Sequence, residues 1–204
     1  MLSSGRSTPD TDTSIPPNGA SGVVSPLSPR ARRATNFHFL GARYENEHAC
    51  GKAISDWLHD HPHVTREEIF YTTKLKTNVS RLDTVDKIKK SLKTSTLSYI
   101  DLYLLHSPIG GADVRRECWA GCRDAKEYGW VKSIGVSNYG TRHIDEFVRA
   151  KGEMPVLNQL DNHPFMRRPE IVRACEREGI LIEVRAGRAT LARRQAQRVR
   201  GPDV

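Results

Sequence analysis

An α/β fold, a parallel sheet wrapped by helices and curving into part of a (β/α) barrel, is what this sequence predicts. Short apolar runs recur along the chain, each ends in polar residues, and a helix-patterned stretch fills every gap. The runs are residues 69–73 ending at Lys74, 100–105 at His106, 131–136 at Ser137 and Asn138, 154–158 at Gln159, and 180–182 at Glu183. From Lys74 through His106, Ser137 and Gln159 to Glu183 the end points lie 32, 31, 22 and 24 residues apart, the repeat of a strand plus a helix. Buried strands alternating with amphipathic helices make a parallel sheet, and this many repeats favour a barrel with its working residues at the strands' C-terminal ends. Lys74, His106, Asn138 and Gln159 then share one mouth. An ordinary doubly wound domain is the alternative, in which those residues are unrelated.

Each helix has its own signals. Residues 46–58 become helical through Ala49, Ala53, Trp57 and Leu58, with Asn46 placed to cap the first turn. Ser80 and Asp83 form a capping box ahead of Val85, Ile88 and Leu92. Asp113 caps a helix that turns Val114, Cys118, Cys122 and Ala125 inward, and Gly129 stops it. Thr141 starts a helix with Ile144, Phe147 and Val148 that ends at Gly152. In the last clear unit Pro169 opens the helix, Ile171, Val172 and Cys175 face inward, and Gly179 closes it.

Residues 1–35 are rich in Ser, Pro, Gly and Thr without hydrophobic periodicity, which predicts a disordered tail. Residues 36–184 form the patterned region, and residues 185–204 read as a basic, poorly ordered tail. Most of the net charge of +8 sits in those tails: residues 1–35 hold 4 basic and 2 acidic side chains, residues 185–204 hold 6 and 1. That leaves 22 basic against 21 acidic side chains in between, so the patterned region shows no nucleic-acid footprint. A nucleic-acid binder would rest on the tails alone. Cys50, Cys118, Cys122 and Cys175 form no CxxC pair and lie among apolar residues, as reduced core thiols do in a cytoplasmic protein. Cys118 and Cys122, four apart on one helix face, read as packing and not as metal ligands. No run approaches the roughly 20 apolar residues of a membrane span, and no apolar signal core opens the chain.

Five short motifs then occur in one order. They are Tyr44-Glu45-Asn46-Glu47, Tyr71-Thr72-Thr73-Lys74, Asp101-Leu102-Tyr103-Leu104-Leu105-His106-Ser107-Pro108, Ile134-Gly135-Val136-Ser137-Asn138, and Asn158-Gln159-Leu160-Asp161-Asn162-His163-Pro164. Over residues 39–183 the chain resembles the aldo-keto reductase family. That resemblance implies a (β/α)8 TIM barrel and an oxidoreductase that reduces aldehydes or ketones to alcohols with NADP(H), or with NAD(H), and without a metal. It makes Tyr44 the proton donor, Lys74 the cation that lowers the tyrosine's pKa, and His106 the residue that holds the carbonyl oxygen. Ser137, Asn138 and Gln159 would meet the nicotinamide carboxamide, a group that both donates and accepts hydrogen bonds. Trp130 and His163 are assigned to packing.

The chain departs from the family in places that bear on activity. Phe39 stands five residues before Tyr44, where the family has the aspartate that pairs with the lysine. Arg185 stands where the family has an aromatic residue that stacks on the nicotinamide. A complete barrel typically takes about 250 residues, against 204 here. The expectation is therefore a partial barrel lacking the family's first strand and C-terminal unit, with six strands if residues 37–42 are counted. Its ends look like a splicing or reading-frame product, and its turnover should be impaired. The alternative function is a catalytically silent fragment that binds nucleotide, or a protein partner at its open sheet edges.

Overall fold

The computed structural model describes residues 46–161 and 168–185. Among them the order is α1 (Glu47–Asp60), β1 (Thr72–Leu75), α2 (Arg81–Ser95), β2 (Ile100–Leu105), α3 (Gly111–Glu127), β3 (Val131–Ser137), α4 (Thr141–Ala150), β4 (Leu157–Asp161), α5 (Pro169–Arg177) and β5 (Leu181–Arg185). A short 3-10 turn, Arg66–Glu68, precedes β1. The strands make one parallel sheet in chain order, β1-β2-β3-β4-β5.

That order separates the two architectures the sequence left open. Right-handed crossovers between successive neighbours put every helix on the same face, whereas a doubly wound sheet reverses its strand order and has helices on both. The main core agrees: Ile54 of α1, Ile88 of α2, Cys118 and Cys122 of α3, Ile144 of α4 and Cys175 of α5 pack with Tyr103, Leu105, Ile134, Val136 and Leu160 of the sheet. The opposite face carries its own small cluster, Leu102, Leu104 and Leu157, supported by Phe70 and Val156. An all-one-sided, sequential parallel sheet is an arc of a (β/α) barrel, with the second cluster lining its interior.

Two glycines set close approaches. A Cβ at Gly51 of α1 would stand 1.8 Å from the Ser95 carbonyl oxygen of α2, so the two helices meet there backbone to backbone. At Gly135 of β3 it would stand 2.7 Å from the Leu157 carbonyl oxygen and 2.8 Å from Leu104 Cδ2, so the interior cluster fills the space a side chain would need.

The N-terminal ends of the strands are held by a polar clip. Arg66 donates to the Ile69 carbonyl at 2.7 Å, the Tyr99 carbonyl at 2.9 Å and the Asp101 carboxylate at 2.8 Å. The same Asp101 oxygen accepts from the Tyr71 amide at 2.9 Å. Arg66 also lies over the Tyr99 ring, 4.1 Å from its centroid. Burial raises the Asp101 carboxyl above its usual pKa in spite of Arg66 and the Tyr71 amide, which both pull it down.

Several predicted details shift. β1 and β4 each begin three residues after the start of their apolar runs, at Thr72 and Leu157. Residues 69–71 and 154–156 lead into the sheet, Pro155 lacking the amide a ladder needs. In α1 the inward residues are Glu47, Cys50, Gly51 and Ile54, while Ala49 and Ala53 are exposed, because the contact with α2 selects for smallness at Gly51. Asn46 occupies the N-cap without closing a side-chain cap bond. Asp113 is not a cap: α3 starts at Gly111 behind Gly110, whose φ of 112° suits glycine, and Asp113 pairs with Arg116 at the surface. Helix α4 ends one residue before Gly152, on a left-handed Lys151. In α5 the inward set is Ile171, Ala174 and Cys175.

The other signals hold. The Ser80 hydroxyl accepts from the Asp83 amide at 3.2 Å, and Gly129 and Gly179 end their helices with φ of 75° and 70°. All four cysteines are free and buried, and burial raises their pKa values. The predicted strand at 37–42, the tail at 1–35 and residues 186–204 lie outside the described residues, while Arg185, assigned to the basic tail, ends β5.

Candidate active site

Strand ends build the site. In a parallel sheet of consecutive neighbours, residues at the C-terminal ends of all strands come to one rim. Here Ser137, Gln159 and Glu183 stand in register across β3, β4 and β5, and Lys74 lies opposite Leu104 on β1. Alternation along each strand turns Lys74, Gln159 and Glu183 away from the helices, to the interior side.

Lys74 crosses that interior. Its ammonium donates to Ser137 Oγ at 3.2 Å and to Gln159 Oε1, so β1 reaches past β2 to β3 and β4. All three residues are buried, Lys74 at 4% exposure. A charged side chain so far from water needs polar partners, and the hydroxyl and the amide carbonyl serve. Beyond Lys74, Gln159 Nε2 donates to Glu183 Oε1 at 2.7 Å. The side chains thus run ammonium, amide, carboxylate across the mouth.

Asn138 follows β3 in the left-handed region, φ 61°, which asparagine tolerates better than most residues. Its backbone amide donates to the Gln159 carbonyl at 2.8 Å, and its side-chain amide lies 3.5 Å from Ser137 Oγ. Asn158 fixes the next residue by mimicking a strand neighbour. Its Oδ1 accepts from the Tyr139 amide at 3.3 Å and its Nδ2 donates to the Tyr139 carbonyl at 2.8 Å. His106 follows β2 directly, half-buried, with its backbone amide bonded to the Leu75 carbonyl at 3.3 Å.

The structure therefore brings Lys74, Ser137 and Gln159 into contact, with Asn138 adjoining. His106 ends the strand between β1 and β3. Tyr44, Phe39 and His163 lie outside the described residues. Trp130 is half-buried against the core with its ring 5.0 Å from Tyr128, a packing role. Sequence reasoning missed Glu183 and Asn158 as site residues. Glu183 closed the last apolar run and so carried the same signal as Lys74. Asn158 opens the last motif and closes an apolar run, but its bonds to Tyr139 depend on the β3–β4 pairing.

The donor set fits a nicotinamide carboxamide, which both donates and accepts. Ser137 and Asn138 present a hydroxyl and an amide at one level, and the buried Thr72 hydroxyl on the interior side has no partner among the described residues. The Gln159 amide is engaged at both ends. A carboxamide would share it with Lys74 or Glu183.

Comparison with known proteins agrees with this geometry. The Aldo/keto reductase family matches residues 35–185. An uncharacterized oxidoreductase of Saccharomyces cerevisiae is 41% identical over 145 residues, covering 69% of this chain and 51% of its own length. A methylglyoxal reductase of Escherichia coli is 38% identical over 130 residues, 64% of this chain and 45% of that protein. Among solved structures, a Bombyx mori aldo-keto reductase in complex with NADP superposes with a TM-score of 0.69 at 34% identity, covering 77% of this chain and 54% of that one. The chain spans about half the length of the curated relatives it matches. With parallel strands in barrel order and the family's motifs at their ends, this chain belongs to the aldo/keto reductase family.

Proposed function

We propose that this chain carries the carbonyl-reducing site of an NAD(P)H-dependent aldo-keto reductase, turning an aldehyde or ketone into an alcohol. The observation that supports it most is the Lys74 ammonium, drawn into the sheet interior onto Ser137 and Gln159. A solvated lysine at a strand end would gain nothing from that burial. A bound reduced nicotinamide supplies the hydride for the carbonyl carbon.

The chain's own residues supply the rest. Tyr44 gives its phenolic proton to the carbonyl oxygen, so the products are the alcohol and the oxidised cofactor. A tyrosine titrates near 10 when unperturbed, and a neighbouring ammonium stabilises its anion and brings the proton within reach of neutral pH. Lys74 is that ammonium. His106 orients the carbonyl oxygen from the end of β2. Ser137, Asn138 and Gln159 hold the carboxamide and thereby fix which ring face meets the substrate. Phe39 in place of the family's aspartate removes one anchor from Lys74 and lowers turnover without changing the chemistry.

Small carbonyl compounds are the proposed substrates, with methylglyoxal the first to try given the activity named for the Escherichia coli relative. Among the described residues no helix is long and apolar enough to cross a membrane, and the buried free thiols suit the reducing cytoplasm. The test is to incubate the purified chain with NADPH and methylglyoxal and follow the absorbance of the reduced cofactor. Turnover should fall by about 10²–10⁴ in Tyr44→Phe, the usual worth of a positioned acid. Activity that survives that change refutes Tyr44 as the donor, and a parent that neither binds NADPH nor consumes it refutes the reading.

A further inference from the structure

We propose that Glu183 is a positioning residue for Lys74, acting across the Gln159 side-chain amide. An ammonium only donates and a carboxylate only accepts, whereas a carboxamide has one end of each kind. Between Lys74 and Glu183 the Gln159 amide can therefore sit only one way round, with Oε1 to the ammonium and Nε2 to the carboxylate, 2.7 Å from Glu183 Oε1.

The consequence is a counter-ion held one amide away. Gln159 is 2% exposed and Lys74 4%, so their bonds lie in a poorly screened interior where charge-assisted bonds are strong and rigid. Glu183 fixes the amide, the amide fixes the ammonium, and Ser137 Oγ gives the ammonium a second point of attachment. β5 thereby reaches the working end of β1 without direct contact. This role rests on the reductase reading only for its catalytic meaning, since Lys74 is there the group that acts on Tyr44.

The experiment reads Lys74 itself. In the full chain with isotope-labelled lysine, the Lys74 NMR signal is assigned by its disappearance in Lys74→Arg and then titrated. Glu183→Gln should lower its midpoint by about one pH unit, because a unit charge one amide away becomes neutral. Glu183→Asp, which keeps the charge, should stay near the parent. Gln159→Leu should lower the midpoint too, and on that background Glu183→Gln should add less than it does alone. The other charged or titratable groups around Lys74 are the same in all of these proteins. Among the described residues they are Glu47, Lys76, Lys87, Lys90 and Tyr103, which share a cleft with it, and His106 at the end of β2; Tyr44, placed beside Lys74 by the reductase reading, is likewise unchanged. If Glu183→Gln does not fold, Glu183→Met takes its place with the same lowered midpoint expected, and an unmoved midpoint in it overturns the proposal equally.

An unmoved midpoint in Glu183→Gln, or an equal shift with and without Gln159, overturns the proposal. NADPH turnover is recorded on the same samples. A parent without turnover defeats the reductase reading and leaves the lysine shift readable; turnover with an unmoved midpoint defeats the Glu183 role alone.

Discussion

Replacing Arg66 with methionine tests the clip at the other end of the strands. The change keeps much of the apolar stem and removes a guanidinium that bonds two backbone carbonyls and the Asp101 carboxylate. The pair is largely buried, with side-chain exposures of 13% for Arg66 and 11% for Asp101. Removing one partner of a buried pair strands the other charge and costs about 3–5 kcal/mol. The Tyr71 amide still serves Asp101, so the lower end applies, about 3 kcal/mol. Against a typical domain stability of about 5–15 kcal/mol that is a large share.

The effect should also depend on pH. Asp101 already has a raised pKa in the folded chain, mainly from burial, so the folded state holds its proton more tightly than the unfolded state does. Such a group favours folding most at low pH, and its contribution falls as pH rises through the raised value. Without Arg66 the carboxyl is raised further, so the deficit of Arg66→Met should be full at neutral pH and shrink on acidification. Urea unfolding followed by tryptophan fluorescence at pH 7 and pH 5 measures both quantities. A variant within about 0.5 kcal/mol of the parent at neutral pH, the scale of an ordinary surface change, would refute the reasoning.

Two further predictions concern the interior cluster and the start of α4. Gly135→Ala forces a methyl group against the Leu157 carbonyl and Leu104, and should cost about 1–3 kcal/mol, read as a lower unfolding temperature; an unchanged temperature would show that β3 and β4 separate freely. The Gly140 amide donates to His143 Nδ1 at 3.0 Å, which requires that nitrogen to be unprotonated, and burial with Arg115 and Arg142 lowers the His143 pKa. Because the folded value lies below the unfolded one near 6.5, this contribution is complete above about pH 6.5 and is lost as pH falls below it. Unfolding midpoints at pH 7.5 and 5.5 should therefore differ less in His143→Leu than in the parent, and an identical difference would rule the residue out.

The strands and their order of function were legible in the sequence because both follow from repetition. A polar residue closing an apolar run marks the end of a buried strand, and that rule places Lys74, His106, Asn138 and Gln159 at one mouth; the structure brings Lys74 and Gln159 of that set into direct contact. Helix stops at Gly129 and Gly179 were legible for the same local reason, the left-handed backbone. What escaped was set by partners distant in the chain. The inward face of α1 follows from Gly51 meeting Ser95, which hydrophobic periodicity does not register. The start of α3 was obscured because Gly110 and Gly111 supply the turn by backbone freedom, leaving Asp113 as a misleading cap signal. The roles of Asn158 and Glu183 required the pairing of β4 with its two neighbours.

The sequential pairing of the sheet has a bearing on how the chain is made. Among the described residues every ladder joins a strand to the next one synthesised, across a single intervening helix, so each loop closed in pairing them is short. As it emerges from the ribosome, this part of the chain can lay down β1 to β5 strand upon strand in the order of translation.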